Sequence, residues 1–102
     1  MIARHRKPTT PGEILKIEFL KPLGITQKEL ADHIECDLKV INRLVNNRTS
    51  VTAALALKLG AALNTTPEFW LNAQKAVDIY KASQELKKLP KALFAKNQLV
   101  HA

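Results

Sequence analysis

Lys39, Asn42 and Arg43 lie within five positions of one another, with Leu38 just before them and Asn46, Asn47, Arg48 and Thr49 just after. Spacings of three and four place such side chains together on one side of a helix. Lysine and arginine donate to guanine O6 and N7, asparagine pairs with the N6–N7 edge of adenine, and leucine meets the methyl group of thymine. Val40, Ile41, Leu44 and Val45 fall on the opposite side and can anchor the helix. This set of residues is suited to reading base edges rather than to making or breaking bonds. Leu38, Lys39, Asn42 and Arg43 are therefore the candidate base contacts. Asn46, Asn47, Arg48 and Thr49 are candidate phosphate contacts, as is Gln27, which opens the preceding helix beside free backbone N–H groups. Polar residues opposite an apolar stripe also describe any solvated helix. What adds weight is sign: residues 38–48 hold three cations and no anion, and the neighbouring Asp37 is accounted for as a helix cap.

Other chemistries are poorly supplied. His33 and Cys36 have a spacing that can grip a metal on a helix, but His5 and His101 lie far off near the ends, so a third and fourth ligand are missing. Glu29, Asp32 and Glu35 form an acidic row with no companion base or cleft implied. Ser50 and Ser83 have no motif that would bring them a histidine. No enzyme activity, cofactor or metal is expected. A single cysteine excludes an internal disulfide and suits a reducing compartment, which fits a cytoplasmic protein.

The elements that must position the reading residues are punctuated clearly. Thr10-Pro11-Gly12-Glu13 is a capping box with proline at the first helical position. It opens a helix carrying Ile14, Leu15, Ile17, Phe19 and Leu20, which Pro22 and Gly24 should stop. Thr26-Gln27-Lys28-Glu29 is a second capping box, opening a helix with Leu30, Ala31 and Ile34 on its apolar side and an end near Glu35-Cys36. Asp37 caps the third helix and Asn46-Asn47 ends it, since asparagine tolerates the left-handed backbone of a helix stop. Thr52 caps a fourth helix, Ala53 to Leu63, apolar nearly all round and so the expected centre of the core. Thr66-Pro67-Glu68 opens a fifth, which can run to about Leu86. Phe69 and Trp70 are adjacent and cannot share a helix face. One should pack inward, and Trp70 with Val77 and Tyr80 is the expected dimer or partner surface.

The chain has 102 residues, enough for one domain, and 46% of them are apolar, enough for a modest core. No apolar stretch is long enough to span a membrane. The net charge is +7. It is concentrated in residues 1–10, which hold three cations and no anion, and in 84–102, where Lys87, Lys88, Lys91 and Lys96 face only Glu85. A basic balance attracts phosphate, so it favours a nucleic-acid partner, although basic ends also serve as solubilising tails. Arg4, Arg6 and Lys7 belong to an arm that is either a loose tail or reaches the nucleic acid. Residues 84–102 mix their lysines with Leu86, Leu89, Leu93, Phe94, Leu99 and Val100, which is too apolar for a simple tail.

Two short capped helices separated by about three residues form the helix-turn-helix pattern, in which the second helix enters the major groove. Residues 26–48 resemble the Cro/C1-type (XRE) version, most specifically in Thr26-Gln27-Lys28-Glu29-Leu30-Ala31 and in Ile41-Asn42-Arg43-Leu44-Val45-Asn46-Asn47-Arg48. The flanks, Thr10-Pro11-Gly12-Glu13-Ile14-Leu15, Phe19-Leu20-Lys21-Pro22-Leu23-Gly24 and Thr66-Pro67-Glu68-Phe69-Trp70-Leu71-Asn72, are similar to the HigA (VapI) antitoxin subfamily. The resemblance covers residues 10–80. It implies an all-α, five-helix Cro/C1-type (lambda repressor-like) domain over residues 10–83; outside it, by their own composition, lie a basic arm at 1–9 and a basic, helical C-terminal extension at 84–102. It also implies a homodimer on double-stranded operator DNA, a HigB-like mRNA-cleaving toxin as protein partner, and repression of the protein's own operon. The alternative is a stand-alone or phage-type repressor with no toxin, or an interaction module that no longer touches DNA. By position, Gln27, Leu38, Lys39 and Arg43 fall where the family reads DNA, with Asn42, Asn46 and Arg48 near the backbone. The chain departs from the family at Glu35 and Asn47, where glycine is common, at Thr10, where histidine is common, and at Ala73, where a larger apolar side chain is common. Glu35 must adopt positive φ or reshape the turn.

Overall fold

The computed structural model describes residues 6–96. Five helices appear among these residues, and no strand. Helix α1 spans residues 11–23, α2 Gln27–His33, α3 Leu38–Val45, α4 Ala53–Leu63 and α5 Pro67–Glu85. None of them is long and apolar enough to cross a membrane.

All five starts follow from side-chain capping. The hydroxyl oxygens of Thr10, Thr26, Thr52 and Thr66 accept from the backbone N–H groups of Glu13, Glu29, Leu55 and Phe69, and Asp37 accepts from Lys39. At α1 and α2 the glutamate carboxylate reaches back to the cap's own N–H, completing both capping boxes. The stops are equally regular. Gly24, Glu35, Asn47 and Asn64 each take positive φ just past a helix, at 65°, 55°, 59° and 57°. After each, the next N–H turns back to a carbonyl five residues earlier: Ile25 to Leu20, Cys36 to Ala31, Arg48 to Arg43 and Thr65 to Gly60. These bonds satisfy carbonyls that the helix end would otherwise orphan.

Two expectations about helix ends need correction. Pro22 does not stop α1. Residues Leu15–Leu20 adopt the wider i→i+5 register, with the Lys21 N–H donating to the Lys16 carbonyl, and the helix continues through Pro22 to Leu23. A proline lacks an N–H and crowds the carbonyl four residues back, and a π-type turn is one way to absorb both. Gly24 is the actual stop. The C-terminal extension is also not helical over residues 86–95. The chain leaves α5 at Leu86 in extended backbone, and Pro90 disfavours helix at itself and at Leu89. The expectations for Arg4, Leu99 and Val100 fall outside the described residues.

The core joins Leu15 and Leu20 of α1, Leu30 and Ala31 of α2, Ile41 and Leu44 of α3, Leu55, Ala56 and Leu59 of α4, and Trp70 of α5. Ile17, expected on the apolar stripe of α1, is instead 53% exposed. Helix α4 sits centrally as its composition implied, although its Leu57 faces outward. Trp70 is completely buried, its indole N–H donating to the Thr65 hydroxyl at 2.8 Å, and it packs against Phe19 and Phe69 at ring separations of 5.5 and 5.1 Å. Val77 is buried too. Trp70 and Val77 therefore do not form an outward dimer or partner surface: their rotation about α5 points them into the domain. Of that trio only Tyr80 retains substantial exposure, being half-buried.

Candidate nucleic-acid interface

Helix α3 is anchored by its buried side. Ile41 and Leu44 are almost wholly covered, so the opposite side of this two-turn helix has to face solvent. Leu38, Lys39, Asn42 and Arg43 are all exposed there, Leu38 to 44%. A leucine this open at the start of a helix has no core role, and its methyl groups are free for an apolar contact.

Helix α2 supplies the other wall. Gln27, Lys28 and Thr26 face Asp37, Leu38, Lys39, Asn42 and Arg43 across one concavity of about 590 Å3. The four candidate base contacts and Gln27 are thus brought together on a single surface. Asn42 donates from its amide nitrogen to the Gln27 side-chain oxygen at 3.1 Å, tying the two helices at their exposed edge. Asn46 donates back to the Asn42 carbonyl at 2.9 Å, which folds it onto its own helix. The bond between residues 27 and 42 was not readable from local pattern, because it spans fifteen positions and depends on how α2 crosses α3.

The turn that sets this crossing is residues 34–37. Glu35 takes the left-handed backbone that glycine would take most easily, and Lys58 of α4 donates to its carbonyl at 3.3 Å. The bulky residue therefore keeps the turn geometry rather than reshaping it. Cys36 is partly covered in the same turn, and burial pushes its thiol pKa up, which makes it a poor nucleophile. The Glu29 carboxyl is held below the ordinary value of 4.5 by the hydrogen bonds it accepts from Thr26, and that of Glu13 by those from Thr10.

Asn47, Arg48 and Thr49 are exposed but do not line the α2–α3 concavity. They line a second depression, together with the start of α1 and part of α5. Gln27 is thus the one phosphate candidate to line the concavity beside the base-reading side chains.

Comparison with known proteins places this arrangement. A family model described as helix-turn-helix matches residues 17–70. Antitoxin HigA-1 of Vibrio cholerae is 47% identical over 92 residues, covering 87% of each chain. The chain belongs to the HigA antitoxin family of Cro/C1-type helix-turn-helix proteins. Among solved HigA-type structures, antitoxin GraA in complex with its operator is 35% identical with a TM-score of 0.76, over 89% of this chain and 99% of that one. The Pseudomonas aeruginosa antitoxin HigA with higBA promoter is 27% identical with a TM-score of 0.78, over 85% and 99%. The five-helix HigA-type fold expected from the motifs is the fold observed.

Proposed function

We propose that this protein is a sequence-specific DNA-binding antitoxin of a type II toxin–antitoxin system. As a homodimer in the cytoplasm it represses its own operon and neutralises a HigB-like mRNA-cleaving toxin. Residues 10–83 form the DNA-binding unit, flanked by the basic arm 1–9 and the basic extension 84–102. Helix α3 lies in the major groove, with Leu38, Lys39, Asn42 and Arg43 against base edges. Gln27, Asn46, Asn47, Arg48 and Thr49 hold the backbone.

The observation that carries this reading is the shared concavity in which the two cations, the amide and the exposed leucine of α3 stand together beside the first turn of α2. A major-groove reader needs that combination: donors for guanine, an amide for adenine, an apolar tip for thymine, and a second helix start near the phosphates. The operator and promoter complexes named for GraA and the Pseudomonas HigA support it by kinship. The task assigned to the site is recognition, so no residue is given a catalytic role.

The test is co-purification with the product of the adjacent gene, followed by a gel-shift titration on the shared promoter. Arg43→Ala should weaken operator binding by about 1–3 kcal/mol and relax specificity at one base pair. Gln27→Ala should weaken binding to all sequences alike. Unchanged operator affinity for Arg43→Ala would remove the groove assignment. Operator binding with no co-purifying partner would leave a stand-alone repressor.

A further inference from the structure

The second depression, about 390 Å3, lies on the side of the domain where α1 begins, α3 ends and the middle of α5 passes. Among the described residues three cations from distant stretches of chain line it: Lys7 before α1, Arg48 after α3 and Lys81 on α5. All three are exposed, and among the described residues none is in an ion pair. The charge of Lys7 reaches Glu13, which lies outside the lining. Among the described residues no acidic one lines the depression, whereas Thr49 and Ser50, which carry hydroxyls, do.

Like charges gathered without a counter-ion cost the folded chain some self-repulsion, and this site is built rather than incidental. Its walls are strutted. The Thr10 hydroxyl donates to the Asn47 side-chain oxygen at 2.6 Å, and the Val51 N–H donates to that of Gln74 at 3.0 Å. Gly12 lies so close to the Leu44 carbonyl that a Cβ at that position would collide with it. Helix α1, the loop after α3, and α5 are thus held in fixed relation, and with them the backbone positions from which Arg48 and Lys81 project.

We infer that this depression is a second DNA-backbone seat, in which Lys7 and Lys81 join Arg48 in binding neighbouring phosphodiesters of one strand next to the groove read by α3. The inference rests on the DNA-binding reading above and extends it to two residues outside the helix-turn-helix. Continuity argues for the occupant: Asn47, Arg48 and Thr49 leave the end of α3 and become the near wall of the seat. A phosphodiester also matches the chemistry, being an anion with several acceptor oxygens facing cations and hydroxyl donors. Because such contacts ignore base identity, the seat fixes how the domain sits on the duplex and adds no sequence preference.

The test is the salt dependence of operator binding for the full chain. Each lost phosphate contact should lower the slope of log K against log salt by about 0.9, so Lys7→Ala with Lys81→Ala should lower it by about 1.8. Affinity for operator and for unrelated duplex should fall together, by about sixty-fold at 0.1 M salt. Lys81→Arg in place of Lys81→Ala should restore about half of that loss, and the thermal midpoint should not fall, because both lysines are exposed and their removal relieves repulsion. If wild type binds operator with steep salt dependence and the double variant keeps the same slope, the second seat is wrong and the groove assignment stands. A lowered slope that stays as low with Lys81→Arg in place of Lys81→Ala also overturns it, because the loss is then not one of charge. If wild type binds no duplex at all, both fail.

Discussion

Glu35 is the residue where local preference and fold pull apart. A left-handed backbone costs a residue with a Cβ roughly 1–2 kcal/mol relative to glycine, offset in part by the greater freedom glycine has when unfolded. Glu35→Gly should therefore stabilise the domain by about 0.5–1 kcal/mol in urea titration, with DNA affinity retained. The two capping glutamates make a different prediction. The carboxyls of Glu13 and Glu29 are both depressed below 4.5 in the folded chain by hydrogen bonds from their threonines. A depressed folded pKa contributes stability above the unfolded value and loses it as pH falls through the folded value. Thermal midpoints measured from pH 6 downward should thus hold steady to about pH 5 and then decline. Glu13→Gln with Glu29→Gln should make that decline shallower. An identical profile for the double variant would remove the capping boxes as its source.

At the scale of elements, helix starts were legible because each is a local event: a threonine or aspartate oxygen meets an N–H two or three residues on. All five caps, and the stops at Gly24 and Asn47, could be placed from residue type alone. The passage of α1 through Pro22 could not, because the outcome there depends on whether the preceding turn can widen. The exposed reading face of α3 was legible from its steep division between apolar and polar sides. The facing of Trp70 was not, since α5 is apolar on more than one side and only contact with Phe19 and Thr65 decides which is inward. Trp70→Ala should cost about 3–5 kcal/mol of stability, the usual range for a buried aromatic, rather than abolish an association between folded chains. Gly12→Ala tests the contact between α1 and α3. It should lower both thermal stability and operator affinity, because the Leu44 carbonyl cannot yield without moving the recognition helix.

For the whole molecule, charge is kept available rather than consumed internally. Among the described residues the one ion pair is Lys28 with Asp32, on the surface of α2. Folding stability should then change little between low and moderate salt, while duplex binding falls steeply over the same range. A two-fold dimer would present two such faces, and its operator half-sites should lie about one helical turn, roughly 34 Å, apart or at a multiple of that. A footprint lacking two-fold symmetry would exclude that assembly.

Trp70 is also the chain's only tryptophan, sealed against two phenylalanines and absent from both surfaces assigned to DNA. Its ultraviolet emission should be blue-shifted in the native protein and move to the red on denaturation, while staying nearly blind to added duplex. The molecule in effect carries its own optical gauge of folding, so unfolding can be followed with the operator bound and the ligand's stabilisation measured on an unlabelled chain.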